Sequence, residues 1–157
     1  MNEQSNVEYL SAHNFFSGLS EELVKFLGDC ISIREIKKGQ VLFRQGERAD
    51  KFYIVRNGQI SIQIPAIMGP TLEIKTLGAE QVLGWSWLIS PYQWSFQARA
   101  EEDSELLEFD GVAILARCEL EPQLGYELLK KFAGLMSERL DAARQKVMDE
   151  WNPAGFA

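Results

Sequence analysis

Short runs rich in β-branched and aromatic residues follow one another between residues 31 and 110, and turn residues separate them. The runs cover 31–36, 40–44, 51–56, 59–64, 71–77, 81–83, 94–100 and 104–109. Within 59–64 every second residue is isoleucine, which is the period of a strand with one buried face. The dipeptide Asn57-Gly58 predicts a two-residue hairpin, because a type I′ turn needs positive φ at both positions. Short strands joined by hairpins are typical of a closed antiparallel barrel or jelly roll.

Helical patterns lie on both sides of this β region. Ser20 is a favourable N-cap for a short helix whose apolar side is Leu23, Val24, Phe26 and Leu27, and Gly28 is expected to end it. A second short helix is predicted over 111–118. Pro122 can begin a long helix over about 122–150, because proline is tolerated in the first turn. We therefore expect a mainly β fold with flanking α: a double-stranded β-helix or jelly-roll barrel over about 30–110, an N-terminal helix and a long C-terminal helix, in a single domain over 1–157.

The long C-terminal helix carries one apolar stripe at alternating spacings of three and four residues. Its members are Ala133, Met136, Leu140, Ala143 and Val147. The other faces carry charges of both signs: Lys130, Lys131, Glu138, Arg139, Asp141, Arg144, Lys146 and Asp149. Two interpretations of the stripe stay open. Either it packs back on the barrel, or it pairs with the same helix of a second copy in a homodimer.

Charge and hydropathy limit the classes of partner. The formal net charge of −7 opposes binding to nucleic acid, since phosphate-backbone binding depends on clustered Lys and Arg. No apolar run reaches the roughly 20 residues of a membrane helix, and the polar N-terminus does not resemble a signal peptide. We expect no direct contact with nucleic acid or membrane, and a cytoplasmic location.

The sequence offers little for metal or redox chemistry. Cys30 and Cys118 are far apart in sequence and form no CxxC pair, so both are expected to be reduced and packed. His13 is the only histidine, and one histidine cannot build a histidine-rich metal centre. We expect no metal site and no catalytic residues, which argues against an enzyme with a cupin-like barrel.

A glycine-paced segment over 42–58 carries the first family resemblance. Gly46, Glu47, Ala49, the apolar run 52–55 and Gly58 fall at the spacing of the first signature of cyclic-nucleotide-binding domains, and Gly39 precedes them as in that family. Phe43 departs from the pattern, since a smaller aliphatic residue is usual there. The chain thus resembles the sensor domain of catabolite-activator-like proteins over roughly residues 12–150. The resemblance implies the jelly-roll fold and a regulatory role.

The stretch 83–100 resembles the phosphate-binding cassette of the same family, but in altered form. In the family, a glycine is followed by a ribose-binding Glu, and a phosphate-binding Arg comes later. Here Gly84 is kept, Trp85 stands at the Glu position and Trp94 at the Arg position. Arg99 lies five residues after Trp94, so a regular strand would point it to the opposite face, as a salt-bridge partner. The candidate ligand-binding residues are Leu83, Gly84, Trp85, Ser86, Trp87, Trp94 and Ser95.

Three interpretations of this tryptophan-rich cassette stay open. The aromatic side chains can fill the cavity that a nucleotide occupies in relatives, or line a pocket for a different small molecule or a protein. In the third interpretation, a nucleotide still binds weakly through backbone N–H groups and stacking. Loss of one member of a buried charge pair costs about 2–5 kcal/mol, whereas stacking a base on tryptophan returns only about 1–3 kcal/mol.

We therefore predict a non-catalytic, stand-alone regulatory module with weak or no binding of ordinary cAMP or cGMP. It is expected to act through a partner protein or a different ligand, and no cofactor is assigned beyond a possible nucleotide-like or other small molecule. The alternative is the sensor part of a catabolite-activator-type transcription regulator that binds a cyclic nucleotide. Such regulators carry a winged helix after the dimer helix, and none is expected within the 157 residues.

Overall fold

The computed structural model describes residues 3–66 and 68–151. Its helices are α1 (Glu3–Ala12), α2 (Glu21–Asp29), α3 (Gly111–Leu120) and α4 (Pro122–Trp151), and a 3₁₀ helix spans Asn14–Phe16. Its strands are β1 (Ile31–Ile36), β2 (Val41–Phe43), β3 (Lys51–Asn57), β4 (Ile60–Ile64), β5 (Leu72–Leu77), β6 (Val82–Leu83), β7 (Gln97–Ala100) and β8 (Ser104–Asp110). None of the helices in these two ranges is long and apolar enough to cross a membrane.

The strands form two four-stranded sheets that pair in antiparallel fashion. One sheet has the order β1-β8-β3-β6 and the other β2-β7-β4-β5. The helices lie before and after this roll in the chain, as the hydrophobic patterns predict. The mainly β jelly-roll fold with an N-terminal helix and a long C-terminal helix is thus confirmed.

Strand β3 is buried on both faces and separates two cores. Phe52 and Ile54 face the core between the first sheet and the helices. Tyr53 and Val55 alternate with them and face the core between the two sheets. A strand that is apolar on both faces is typical of the middle of a layered fold, and here the layers are helices, first sheet and second sheet.

The predicted hairpin at Asn57-Gly58 is wrong. Strand β3 pairs with β8 and β6, whereas β4 pairs with β5 and β7, so the chain crosses from one sheet to the other at this turn. Gly58 does have the positive φ of +98° that the motif requires. A Cβ atom there would lie 2.0 Å from the Ser104 hydroxyl oxygen, so glycine is needed for close approach as well as for the turn.

Several element boundaries also differ from the sequence prediction, most of them by one or two residues. The run 94–100 becomes a strand only at Gln97, because the backbone of Trp94 is bonded elsewhere: its N–H donates to Glu47 (2.9 Å) and its carbonyl accepts from Gly46 (2.8 Å). Helix α2 does not stop at Gly28 but continues to Asp29. A Cβ at Gly28 would lie 3.4 Å from that of Asn6, an ordinary contact distance, at the place where α1 packs on α2.

Candidate functional site

The cassette leaves the barrel at the end of β6 and returns to it before β7. Gly84 has a φ of +104°, and a tight turn follows in which the Leu88 N–H donates to the Trp85 carbonyl at 3.0 Å. A Cβ at Gly84 would lie 2.9 Å from two ring carbons of Trp94. Gly84 therefore both makes the turn and leaves room for the Trp94 indole.

Trp94 occupies the centre of the cassette. Its side chain is buried, and its ring stacks on that of Phe43 with a centroid separation of 3.6 Å and an interplanar angle of 8°. The cavity that remains beside it has a volume of about 20 Å³, room for about one water molecule. Pockets for small molecules in proteins usually measure about 300–1,000 Å³. The indole of Trp94 thus fills most of the space that the cassette encloses.

Phe43 is one of three residues of this site that the candidate set lacks, with Ile62 and Phe96. Phe43 appears in the sequence only as a departure from the family pattern on β2, unrelated to the cassette. The structure places it face to face with Trp94, and the ring of Tyr53 lies nearly parallel to it with centroids 6.4 Å apart. Phe43 and Trp94 both depart from the family pattern toward a large aromatic residue. This shared departure was the signal in the sequence that the two residues compensate each other.

The other two tryptophans of the cassette lie in different surroundings. Trp85 is half-buried and packs edge-on against Phe96, with centroids 5.6 Å apart at 80°. Trp87 is 1% exposed and contacts Phe52 (5.2 Å) and Phe132 (5.3 Å) in the helix-side core. The remaining cavity is lined by six of the seven candidate residues, Leu83, Gly84, Trp85, Ser86, Trp94 and Ser95, together with Phe43, Ile62 and Phe96, and Trp87 lies apart from them.

No charged side chain lines this cavity. Arg99 forms an ion pair with Glu101 at 3.3 Å, as expected for a residue on the opposite face of the strand from Ala98 and Ala100, which are fully buried. A hydrogen bond from Ser61, and then the Arg99 guanidinium, hold the pKa of Glu101 below its ordinary value. The cassette therefore offers apolar surface and two serines, but no cation for a phosphate.

Helix α4 packs on the rest of the protein with a different row of residues from the predicted stripe. The packed row is Leu124, Leu128, Phe132, Leu135 and Arg139. In the predicted stripe, Ala133, Leu140 and Val147 are exposed, and Met136 and Ala143 are partly buried. Tyr126 and Leu129 are also exposed and extend the stripe at the same spacing. The stripe therefore does not pack back on the barrel as a whole. Arg139, which the pattern places on another face of the helix, belongs to the packed row.

The two-sheet roll, the glycine turn of the cassette and the long C-terminal helix together define a cyclic-nucleotide-sensor type of domain. The sequence profile of the cyclic nucleotide-binding domain family matches residues 33–120, more than half of the chain. The chain belongs to this family, as its resemblance implied.

Solved structures share this fold, and one curated relative shares part of the sequence. A cyclic nucleotide-binding domain from Methylobacillus flagellatus has a TM-score of 0.75 at 16% identity, covering 94% of this chain and 83% of that one. The sensor domain of the transcriptional regulator DNR from Pseudomonas aeruginosa has a TM-score of 0.70 at 23% identity, covering 88% and 93%. An uncharacterized protein of Mycobacterium tuberculosis is 34% identical over 79 residues, which are 50% of this chain and 15% of that protein.

Proposed function

We propose that this chain is a non-catalytic regulatory module whose family ligand site is filled by its own Trp94. It then binds neither cAMP nor cGMP, and it acts through contacts with protein. The observation that carries this proposal is the cavity of about 20 Å³ beside a tryptophan that stacks on Phe43. A nucleotide would have to expel the buried indole and would find no arginine for its phosphate.

The energetic cost of such binding is large. Removal of a buried indole from a core costs about 3–5 kcal/mol, and the missing charge pair costs a further 2–5 kcal/mol or so. Together these terms lower an affinity by more than three orders of magnitude, at about 1.4 kcal/mol for each factor of ten. Binding of an ordinary cyclic nucleotide at micromolar concentration is therefore not expected.

Isothermal titration calorimetry with cAMP and cGMP tests the proposal. No heat of binding is expected up to millimolar nucleotide, and binding at low micromolar affinity would refute the self-filled site. The matched variant is Phe43→Leu, Trp85→Glu, Trp94→Arg, which removes the stack and restores both charged groups of the family cassette. It is expected to gain nucleotide binding, whereas Trp94→Arg alone is not. No gain in the triple variant would mean that other side chains also close the site.

We further propose that this stripe of α4, exposed except at the partly buried Met136 and Ala143, pairs with that of a second copy. Tyr126, Leu129, Ala133, Met136, Leu140, Ala143 and Val147 alternate at spacings of three and four, which is the a/d pattern of a coiled coil. Leu140 is 67% exposed and lies within this row, and a contiguous exposed apolar patch, unlike a single exposed residue, marks an interaction site.

Analytical ultracentrifugation tests the homodimer. The wild-type protein is expected to dimerise, and Leu140→Glu to be monomeric. Leu120→Glu is the matched control, because Leu120 is also exposed but ends α3, outside the stripe. A wild-type monomer at high micromolar concentration, or equal effects of the two variants, would refute pairing through α4.

A further inference from the structure

A cleft lies between helix α3 and the stretch of the cassette just before Trp94. It is formed by the loop 48–50, by residues 91–93 and by one face of α3. Its volume is about 580 Å³, within the range of about 300–1,000 Å³ that is usual for small-molecule sites. It shares no lining residue with the cavity beside Trp94. The cleft is therefore a separate space from the ligand site of the family.

Backbone hydrogen bonds hold the three segments of the cleft in place. The Ala49 N–H donates to the Tyr92 carbonyl at 2.7 Å, which joins the loop 48–50 to the cassette. The Gly111 N–H donates to the Asp50 carbonyl at 2.9 Å, which joins the same loop to the first turn of α3. The cleft is thus formed by the fold itself, as small-molecule sites usually are.

Helix α3 presents an apolar face to the cleft. Val112, Leu115 and Ala116 line it at spacings of three and one, so that they lie on one side of the helix. Val112 is 52% exposed, so this face lacks a cover. Pro91 and Tyr92 line the cleft from the cassette. Apolar side chains from two separate elements favour a flat, apolar ligand between them.

Trp87 lies at the base of the cleft and carries an unused hydrogen-bond donor. It is 1% exposed, and its Nε1 is buried without a hydrogen-bond partner among the described residues. Its ring contacts Phe52 and Phe132, whose side chains have no oxygen or nitrogen to accept the bond. A buried donor without an acceptor is unfavourable. The cleft that Trp87 lines is where a ligand can supply that acceptor, and a carbonyl oxygen suits an indole N–H.

Tyr92 has a backbone conformation that tyrosine rarely adopts. Its φ of +58° lies in the left-handed region, which glycine, asparagine and aspartate occupy more readily. The side chain is 37% exposed, and its hydroxyl forms no hydrogen bond with the described residues. Strained residues that gain nothing within the fold are concentrated at functional sites. At this position the ring provides an aromatic wall for a ligand.

The charged side chains of the cleft indicate the charge of its ligand. Arg48, Asp50 and Glu119 line it, one positive and two negative. None of the three forms an ion pair within the part of the chain that the structure describes. Their sum is −1, so the cleft disfavours an anion, a phosphate included.

We propose that this cleft binds a neutral, planar aromatic compound that carries a carbonyl group. The carbonyl oxygen accepts from Trp87 Nε1, and the ring lies between Tyr92 and the apolar face of α3. The site does not depend on the proposed function, because it uses a different cavity. It gives the module a small-molecule ligand although Trp94 fills the family site.

Titration with chromone, observed through the tryptophan indole signals in ¹H–¹⁵N NMR spectra, tests the site. The Trp87 signal is the one that Trp87→Phe lacks. It is expected to move downfield, because a carbonyl acceptor deshields the N–H proton, with a dissociation constant of about 0.1–1 mM for a ligand of this size. Naphthalene has a similar shape but no carbonyl, and it should bind about tenfold more weakly. Chromone-2-carboxylate adds a negative charge and should also bind more weakly.

Two variants remove different parts of the site. Trp87→Phe keeps an aromatic ring and removes the donor, so chromone should bind about tenfold more weakly while naphthalene binds as before. Tyr92→Gly removes the aromatic wall at a position where glycine adopts the observed φ without strain. It should stay folded and lose chromone binding. Trp85→Phe is the matched control, because Trp85 lines the cavity beside Trp94 and not the cleft, and its chromone affinity should be unchanged.

Several results would overturn the proposal. A Trp87 signal that does not move at millimolar chromone excludes the site, and wild-type affinity in Tyr92→Gly excludes the aromatic wall. Equal affinities for chromone and naphthalene exclude the hydrogen bond, and tight binding of chromone-2-carboxylate excludes a neutral ligand. Loss of binding in Trp85→Phe, with movement of the Trp94 signal, would place chromone in the family site instead. If Trp87→Phe does not fold, the three probes and Tyr92→Gly carry the test.

Discussion

Replacing Trp94 by alanine is expected to destabilise the protein and to open a cavity that free indole refills. The indole of Trp94 is 6% exposed and stacks on Phe43 at 3.6 Å. Truncating a buried tryptophan to alanine costs about 3–5 kcal/mol, which includes the cavity left behind. Domains usually have a free energy of unfolding of about 5–15 kcal/mol. The variant should therefore stay folded unless the wild-type value lies near the lower end of these values.

The loss can be measured by urea unfolding. With an m-value of about 2 kcal/mol per molar urea, a loss of about 4 kcal/mol lowers the unfolding midpoint by about 2 M. Indole is then added to the variant. The cavity would be lined by Phe43, Ile62, Leu83 and Phe96, and apolar cavities of this kind stay dry and bind flat aromatic molecules. Indole at ten times its dissociation constant should restore about 1.4 kcal/mol.

Trp85→Ala is the matched control. Trp85 belongs to the same cassette but is half-buried, so its loss should be smaller and indole should not restore stability. A loss below about 1 kcal/mol for Trp94→Ala, or equal stabilisation of both variants by indole, would refute the view that Trp94 fills the site.

Three further predictions address the cassette, a thiol and an ion pair. Gly84→Ala should lower the free energy of unfolding by about 1–3 kcal/mol, because φ is +104° and the new Cβ would lie 2.9 Å from the Trp94 ring. The same substitution in the Trp94→Ala background should cost less, as a double-mutant cycle would show. Burial first, and then nearby carboxylates, raise the pKa of Cys30 to about 11, so at pH 8 roughly one thiol in a thousand is ionised. Iodoacetamide should therefore modify Cys30 at least about a hundredfold faster after unfolding, as mass spectrometry of the peptide would show. The Lys75 hydrogen bond holds the pKa of Glu138 below its ordinary value of 4.5, so this bond stabilises the protein above pH 4.5 and the stabilisation is lost as the pH falls further. Lys75→Met should therefore weaken the dependence of the urea midpoint on pH between pH 6 and 3. An unchanged dependence would contradict this.

Local patterns predicted most of the secondary structure because they act within a few residues. The Ser20 hydroxyl caps α2 by accepting from the Leu23 N–H at 3.4 Å, as the sequence indicates. The strand predicted from the isoleucine alternation of β4 and the start of α4 at Pro122 are likewise local and are confirmed. The single buried face predicted for β4 is wrong, because Ser61 and Gln63 are buried as well. The turn at Gly58 was misjudged, because a positive φ suits a hairpin and a crossing between sheets equally well. Only pairing with distant strands decides between them.

The candidate site was only partly predictable for a related reason. The cassette between β6 and β7 is largely irregular, so the sequence has no regular hydrophobic periodicity there. Nothing local therefore predicts which of the two cores each side chain enters. Trp94 enters the core between the sheets and Trp87 the helix-side core, although they are seven residues apart. The pairing of Trp94 with Phe43 joins positions about fifty residues apart, and no local signal reports it. The burial of Arg139 was not predicted, because arginine is usually exposed and its burial follows from the packing of its neighbours on the same row of α4.

The stack between Phe43 and Trp94 also bears on how such a site evolves. A small residue at either position leaves a void against the other ring. An arginine at position 94 beside Phe43 would put an unpaired charge against an aromatic face in a closed cavity. Replacement of either aromatic residue alone therefore passes through a less stable intermediate. We expect descendants of this protein to keep both aromatic residues or to lose both, so that the pair is hard to change one residue at a time.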